Sequence, residues 1–260
     1  MLHNVACVLN SAMPLLQTRG LSKDFLGFRA VNEVDLTITE GTIHALVGPN
    51  GAGKTTLFNL LTGFLAPTSG TILYRGRDIT GKAPEQIALL GIARSFQITS
   101  LFDQLTALEH LELALASPTG LGTRFWLSER RMSRFRARSL ELIDQVGLAQ
   151  LADKLVGSLA YGQKRALELA LALALEPSLL LLDEPTAGMG LEDIDRTITL
   201  IKALAKGRTV IFVDHNMHVV GSLSDKVTVL QQGQILAQGS YEQVRRDDKV
   251  ITAYLGQSHA

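Results

Sequence analysis

Residues 48–55 have the sequence Gly-Pro-Asn-Gly-Ala-Gly-Lys-Thr, in which a glycine and four further residues precede Gly-Lys-Thr. The apolar run 42–47 before this segment predicts a buried strand, and the leucine spacing in 54–62 after it predicts a helix that Gly63 ends. A glycine-rich turn between a strand and a helix brings backbone N–H groups and the positive end of the helix dipole to one point. Such a turn binds phosphate, and an ordinary glycine-rich turn would rarely have both flanking elements. The chain is therefore expected to fold around an α/β core that carries a phosphate-binding loop.

A second motif places two carboxylates directly after another buried strand. Residues 179–182 are four leucines, and Asp183 and Glu184 follow them. Open α/β sheets bind ligands at the carboxyl ends of such strands, so both side chains are expected beside the phosphate loop. Asp183 and Thr55 are then candidate Mg²⁺ ligands, Lys54 is expected to reach the β- and γ-phosphates, and the glutamate is expected to polarise a water molecule. Taken alone, the pair would also suit a solvated acidic turn; with the phosphate loop it predicts phosphoryl transfer.

The rest of the chain predicts two kinds of sheet and a helical insertion. Short alternating segments between residues 15 and 38 are typical of antiparallel strands, whereas 179–182 and 209–213 are continuous apolar runs typical of a parallel sheet buried on both faces. Between residues 101 and 159 the helical period dominates. We predict an α/β fold: a phosphate-loop (RecA-like) core with an antiparallel β edge layer and a helical subdomain.

Composition limits where such a protein works. Lys+Arg and Asp+Glu number 25 each, so the chain as a whole carries no net charge that would attract nucleic acid or an anionic membrane. Its one cysteine, Cys7, excludes an internal disulfide and suits a reducing compartment. The apolar stretch 166–182 is interrupted by Glu168, Glu176 and Pro177, so we expect it not to cross a membrane. We expect a cytoplasmic protein; if it works at a membrane, it docks there.

Residues 159–163, Leu-Ala-Tyr-Gly-Gln, precede a long helical pattern and resemble the signature of ABC ATPases. The resemblance extends from about residue 15 to residue 256 and includes Gln97 in Arg-Ser-Phe-Gln, Pro185, and His215 in Val-Asp-His-Asn-Met. In that family these positions are the magnesium-contacting glutamine, the loop after the catalytic glutamate, and the histidine that touches the γ-phosphate.

The resemblance assigns a role to each expected site residue. Glu184 and His215 would be catalytic, and Mg²⁺ would bind Thr55, Gln97 and Asp183. Phe25 would stack on adenine, a contact worth about 1 to 3 kcal/mol. The residues expected to contact ATP are Phe25, Gly48, Pro49, Asn50, Gly51, Ala52, Gly53, Lys54, Thr55, Thr56, Gln97, Leu159, Ala160, Tyr161, Gly162 and Gln163.

Within the ABC family the chain most resembles the LivG-like ATP-binding subunits of branched-chain amino acid importers. The resemblance rests on residues 91–97, on the tyrosine of the signature, and on Ala-Tyr-Leu-Gly at 253–256. Urea and short-chain amide importers have ATPases built almost identically and are the alternative. The ATPase of lipopolysaccharide export is less favoured, because its glutamine loop reads differently. A GTPase would need an Asn-Lys-x-Asp motif, which this sequence lacks, and an ABC protein acting on nucleic acid would need tandem cassettes or a basic surface.

The resemblance also implies partners, a location and boundaries. Two ATPase chains, identical or paralogous, would hold ATP between the phosphate loop of one chain and the signature of the other. They would drive two membrane permease subunits, with a periplasmic or extracellular solute-binding protein as an indirect partner and no nucleic acid. The chain would lie peripherally on the cytoplasmic face of the inner membrane. The expected units are an N-terminal extension at 1–14, the ABC domain at 15–256 with a helical subdomain at about 101–159, and a tail at 257–260.

Three residues depart from the family pattern. Ala160 replaces the signature serine, Gly190 stands where many members have aspartate, and Asp214 precedes the histidine where glutamate is common. None of these changes removes a hydrolytic residue. The signature helix is expected to begin near Gln163.

Two further groups of residues have competing interpretations. The arginines between 124 and 138 predict a solvated helix face, with a contact to lipid headgroups or a membrane partner as the alternative. His215 and His218 stand at helical spacing, but the lack of a nearby cysteine or third histidine disfavours a metal site.

Overall fold

The computed structural model describes residues 14–95, 101–116 and 129–255 of the chain. In these ranges the strands are β1 (Pro14–Phe25), β2 (Phe28–Val34), β3 (Thr37–Thr39), β4 (Ile43–Val47), β5 (Ser69–Tyr74), β6 (Arg77–Asp78), β7 (Ile92–Ser95), β8 (Leu179–Asp183), β9 (Thr209–Val213), β10 (Lys226–Gln231) and β11 (Gln234–Gly239). The helices are α1 (Lys54–Leu61), α2 (Pro84–Leu89), α3 (Ala107–Ala116), α4 (Glu129–Gln145), α5 (Tyr161–Leu173), α6 (Leu191–Leu204), α7 (Met217–Leu223), α8 (Tyr241–Arg245) and α9 (Asp248–Leu255). Two 3-10 turns lie at Ala149–Leu151 and Val156–Ser158.

A six-stranded sheet forms the centre, with the order β11-β10-β4-β9-β8-β7. The strands from β10 to β7 are parallel, and β11 pairs with β10 in the antiparallel direction. The two continuous apolar runs of the sequence are β8 and β9, in which all residues are buried, as a parallel sheet covered on both faces requires. The predicted parallel core is confirmed.

The N-terminal strands build a separate antiparallel layer. β1 pairs with β2, β3 and β5, and β6 extends the layer beyond β5. Gly70, with φ of 87°, lies against the Gly20 backbone, where an added Cβ would be 2.4 Å from the Gly20 carbonyl oxygen, so the crossing of β1 and β5 leaves no room for a side chain. The predicted antiparallel edge layer is confirmed, although the strand pattern did not reveal β5 and β6.

Alternate residues of the central strands pack into two different apolar cores. Leu180 and Leu182 of β8 belong to a core under α5, α6 and α7, whereas Leu179 and Leu181 belong to a core that contains α1 and the antiparallel layer. Because side chains alternate between the faces of a strand, one strand supports both cores. Each fully buried leucine contributes about 2 kcal/mol to this burial.

The segment between β7 and β8 is helical in its described parts. α5 packs against α3, α4 and β7, and α3 packs against α4. A bridge between Thr106 and Leu155 joins the start of α3 to the turn before α5. The predicted helical insertion is present, and its exact limits at 101 and 159 stay a prediction. In the part of the chain that the structure describes, no helix combines the length and apolar character needed to cross a bilayer.

Candidate functional site

The predicted motifs meet at one edge of the parallel sheet. β4 ends at the glycine loop, β9 ends before Asp214 and His215, and β8 ends with Asp183. These strands are adjacent, in the order β4-β9-β8. Parallel strands present their carboxyl ends on the same side, which is where open α/β sheets bind ligands. The fold therefore brings together residues that are more than 160 positions apart in the chain.

The glycine loop is closely packed against the backbone around it. A Cβ added to Gly48 would be 2.2 Å from the Leu230 carbonyl oxygen, and one added to Gly53, which has φ of 99°, would be 2.4 Å from the Ala30 carbonyl oxygen. Gly233 donates its N–H to the Ala52 carbonyl at 3.0 Å. The loop is thus braced by β2 and by the turn between β10 and β11. The sequence pattern identified the loop but did not identify Gly233 as part of its support.

Lys54 is the first residue of α1 and folds back over the loop. Its Nζ donates to the carbonyl oxygens of Gly48 at 2.7 Å and Pro49 at 2.8 Å. Burial lowers the pKa of Lys54, while the charges of Glu184 and Asp183 act in the opposite direction. The ammonium group and both carboxylates therefore belong to one electrostatic environment, as the sequence predicted.

Asp183 is held by a residue to which the sequence analysis gave no role. Its Oδ2 accepts a hydrogen bond from Arg94 Nη2 at 2.6 Å, and the two side chains are only 5% and 9% exposed. Arg94 Nη1 also donates to Asn59 Oδ1 on α1 at 2.5 Å. The arginine thus connects β7, the helix of the phosphate loop and the carboxylate at the end of β8. In the sequence, only the position of Arg94 three residues before Gln97 suggested a role for it. The ion pair with Asp183 could not be predicted, because the two residues are far apart along the chain.

Glu184 lies in the left-handed region, with φ of 45°. Its N–H donates to the Val213 carbonyl of β9 at 2.8 Å, which fixes the turn after β8. His215 Nδ1 is 3.9 Å from Glu184 Oε1, and the histidine side chain is 71% exposed. The two predicted catalytic side chains are therefore close together at the open edge of the sheet.

Asp214 has a structural role that the sequence did not reveal. Its carboxylate is buried, accepting from the Thr186 hydroxyl at 2.7 Å through Oδ2 and from the Asn216 N–H at 2.9 Å through Oδ1. It therefore connects the loop after Glu184 with the segment that carries the histidine. The replacement of glutamate by the shorter aspartate is compatible with a well-ordered turn here.

Phe25 lies at the tip of the β1–β2 hairpin, opposite Phe28, and is 41% exposed. Lys23 Nζ lies 5.3 Å from the centre of its ring. The same hairpin contains Ala30, whose carbonyl contacts Gly53 in the phosphate loop. An accessible aromatic ring on an element that supports the loop fits the predicted stacking on adenine.

The signature begins a helix, but two residues earlier than predicted. α5 starts at Tyr161, and Ala160 is its N-cap residue. The prediction of a start near Gln163 is wrong because the Gln163 side chain reaches back, and its Oε1 accepts from the Ala160 N–H at 3.0 Å. Leu159 is buried, whereas Ala160 and Tyr161 are exposed.

Several predicted residues lie elsewhere or outside the described residues. Gln97 is in the segment 96–100, outside the described residues, as is Arg124 of the basic run. Arg136 and Arg138 of that run lie near the carboxylates of Glu112, Glu141 and Glu176, which favours the solvated, ion-paired helix face. His218 pairs with Asp195 at 3.1 Å, and the described residues contain no group of three metal-ligating side chains.

The arrangement fits a magnesium nucleotide. Thr55 is exposed in the first turn of α1, and among the described residues Asp183 accepts hydrogen bonds through Oδ2 alone, which leaves Oδ1 for a cation. Oxygen ligands of this kind suit Mg²⁺. The glycine loop and Lys54 supply the donors and the charge that bind phosphate.

Comparison with known families agrees with the geometry. The model of the ABC transporter family matches residues 31–187, and a model named branched-chain amino acid ATP-binding cassette transporter matches residues 234–260. The chain is 40% identical over 254 residues to the high-affinity branched-chain amino acid transport ATP-binding protein BraF of Pseudomonas aeruginosa, covering 94% of this chain and 99% of the relative. It is 39% identical to LivG of Escherichia coli strain K12, covering 95% of this chain and all of that protein.

Solved structures have the same fold. The ADP conformation of an ATP-binding cassette of an ABC transporter superposes with a TM-score of 0.84 at 30% identity, covering 94% of this chain and 99% of the other. A dimeric cassette in a post-hydrolysis state, bound to ADP and Pi, superposes with a TM-score of 0.71 at 26% identity, covering 87% and 98% of the two chains.

Proposed function

Because the chain belongs to the ABC transporter family of ATP-binding subunits, we propose that it hydrolyses ATP to drive import of branched-chain amino acids through separate membrane subunits. The observation that carries the choice of solute is the match of residues 234–260 to a model specific to branched-chain amino acid cassettes. The identity of 39–40% to BraF and LivG over nearly the whole chain supports the same choice.

Different residues of the chain have different roles in binding and hydrolysing ATP. The loop N–H groups and Lys54 bind the triphosphate and offset its charge. Glu184 orients a water molecule for attack on the γ-phosphorus and accepts its proton as the bond to the β–γ bridging oxygen breaks. His215, 3.9 Å from that glutamate, is placed to donate to the γ-phosphate. Phe25 binds the adenine by stacking.

Magnesium would be held by Thr55, Asp183 and Gln97, and when bound it supplies positive charge against the phosphates. Arg94 keeps the Asp183 carboxylate in a fixed orientation for this purpose. The ABC domain would span residues 15–256, and residues 257–260 would form a tail.

The proposal includes an assembly at the membrane. Two ATPase chains, identical or paralogous, would close on ATP, with residues 159–163 of each chain facing the nucleotide of its partner. Two permease subunits would hold the pair on the cytoplasmic face of the inner membrane, and a solute-binding protein would deliver the solute from outside. The dimeric cassette with a similar fold supports such a pairing.

Uptake into proteoliposomes tests the proposal. The chain is reconstituted with its membrane subunits, partner ATPase and binding protein, and uptake of radiolabelled leucine and of urea is measured with ATP inside the vesicles. We expect ATP-dependent leucine uptake that Lys54→Ala abolishes, because the triphosphate charge is then uncompensated.

Lys206→Ala is the matched control for this experiment. Lys206 is exposed and precedes β9, at the opposite edge of the sheet, so this change should leave uptake unchanged. Uptake of urea in place of leucine would contradict the assigned solute, and equal activity of Lys54→Ala would contradict the assigned ATP site.

A further inference from the structure

Tyr161 connects the signature helix to the loop after the catalytic glutamate. Its hydroxyl donates to the Ala187 carbonyl oxygen at 3.0 Å, although the side chain is 49% exposed. Gly188 follows with φ of 76°, and a Cβ built there would be 3.6 Å from the tyrosine hydroxyl. The tyrosine therefore lies directly on this loop of its own chain.

Arg165 makes a second connection one helical turn later. The arginine is buried, and its Nη1 donates to Glu168 Oε2 at 2.9 Å. Its Nη2 donates to the backbone carbonyl of Glu184 at 3.2 Å. The guanidinium carbon lies 6.0 Å from the centre of the Tyr161 ring, so the two side chains lie side by side on α5.

The backbone of Glu184 needs such support. A non-glycine residue with positive φ stores strain that its surroundings must hold in place. Here the N–H is bound by Val213 of β9, and the carbonyl accepts from Arg165 and from the Ala187 N–H at 3.1 Å. The carboxylate direction therefore depends on the position of α5 through Arg165, and on the turn that Tyr161 holds.

We propose that Tyr161 and Arg165 are positioning residues that make the alignment of Glu184 depend on the signature helix of the same chain. The inference rests on the proposed function, in which that signature contacts the nucleotide of the partner chain. ATP seated against one chain's signature would then align that chain's own glutamate, so that each site reports its occupancy to the other through two hydrogen bonds.

Tyr161→Phe tests the proposal because it removes one hydroxyl from an exposed side chain. ATP hydrolysis by the assembled transporter is measured against ATP concentration, together with the melting temperature. We expect kcat to fall about three- to tenfold, the worth of one hydrogen bond, with KM changed less than about twofold. The Hill coefficient should fall towards one, and the melting temperature should fall by no more than about 4 °C, the effect of one hydrogen bond on stability.

The matched control is Tyr241→Phe, because the Tyr241 hydroxyl makes no hydrogen bond within the described residues and lies on α8. This variant should have wild-type kcat and Hill coefficient. A second variant, Arg165→Lys, keeps the charge beside Glu168 but has one nitrogen in place of the two that donate to Glu168 and to the Glu184 carbonyl. It should lower kcat while KM changes less than about twofold.

The outcomes separate this inference from the proposed function. An active, cooperative wild type together with unchanged kcat and Hill coefficient in Tyr161→Phe would overturn the inference alone. The same holds for a lower melting temperature without a kinetic change, since that result indicates a purely structural contact. A wild-type complex that does not hydrolyse ATP would overturn both.

Discussion

At the scale of single residues, the least expected contact is the buried ion pair of Arg94 and Asp183. Apart from its position three residues before Gln97, nothing in the sequence singles out this arginine, because its partner is 89 positions away and sequence periodicity reports only local neighbours. The phosphate loop and the two carboxylates could be predicted because each is a local pattern with its own flanking strand. The residues that orient them are visible only once the strands are side by side.

Removing this arginine should destabilise the protein. Arg94→Met leaves the Asp183 carboxylate buried without its ion-pair partner, and we expect the free energy of unfolding at pH 7 to fall by about 3 kcal/mol. Urea denaturation followed by circular dichroism measures it. Arg29→Met, which breaks an exposed pair with Asp24, is the control and should cause no measurable loss. Similar losses of unfolding free energy in both variants would show that the buried ion pair stabilises the protein no more than the exposed one.

His44 predicts a dependence of stability on pH. Burial, followed by the positive charge of Lys226, lowers the pKa of His44 from 6.5 to about 4. Between pH 4 and pH 6.5 the unfolded chain binds more protons than the folded one. The contribution of His44 to the free energy of unfolding is therefore complete above pH 6.5 and is lost as the pH falls towards 4. Over this range the free energy of unfolding falls by about 3 kcal/mol.

Urea titrations at several pH values would measure this contribution. His44→Gln cannot titrate and should show a flatter pH profile between pH 4 and 6.5 than the wild type. Identical profiles for the two proteins would contradict the assigned pKa shift.

At the scale of elements, the start of α5 is a feature that the sequence pattern did not predict correctly. The helix was predicted near Gln163, yet it begins at Tyr161, because a glutamine side chain supplies half of a capping box that lacks its usual serine. β5, β6, α2 and β7 were not predicted at all. Their short segments carry little periodicity, and their pairing with distant strands determines their structure.

Restoring the serine should stabilise this helix. Ala160→Ser supplies an N-cap acceptor for the first turn, and we expect a gain of about 1 kcal/mol in the free energy of unfolding. A hydroxyl aimed at the partner's nucleotide adds one hydrogen bond, so ATPase activity should change by less than about tenfold. Steady-state assays and urea denaturation measure both effects.

Ala83→Ser is a close control. Ala83 is the N-cap residue of α2, and its N–H likewise donates to the side chain of the glutamine three residues later. Ala83→Ser should therefore increase the free energy of unfolding by a similar amount without changing the rate of ATP hydrolysis. A gain in activity far beyond tenfold for Ala160→Ser alone would refute this account of the signature.

At the scale of the whole molecule, one chain presents a phosphate loop and a signature, and we expect each to be completed by a second chain. Glu184→Gln should keep ATP bound without hydrolysing it, because an amide cannot accept the proton of the attacking water. Gel filtration with ATP and Mg²⁺ should then show a long-lived dimer. Glu176→Gln, at the opposite edge of the sheet, should not. Wild-type turnover without a longer-lived dimer in Glu184→Gln would argue against the assigned base.

The strand order has a consequence for how the protein is made. β4, which leads into the phosphate loop, is paired on both sides by β9 and β10, and its Ile43 N–H is bound by Asp225, 182 positions later. At roughly 5 to 20 residues per second, a ribosome needs on the order of 10 to 40 seconds to cover that distance. For most of this interval, until β9 is made at Thr209–Val213, the nascent chain has an apolar strand with neither neighbour in place. The strand that leads into the phosphate loop therefore gains its last neighbour, β10, only when translation is almost complete.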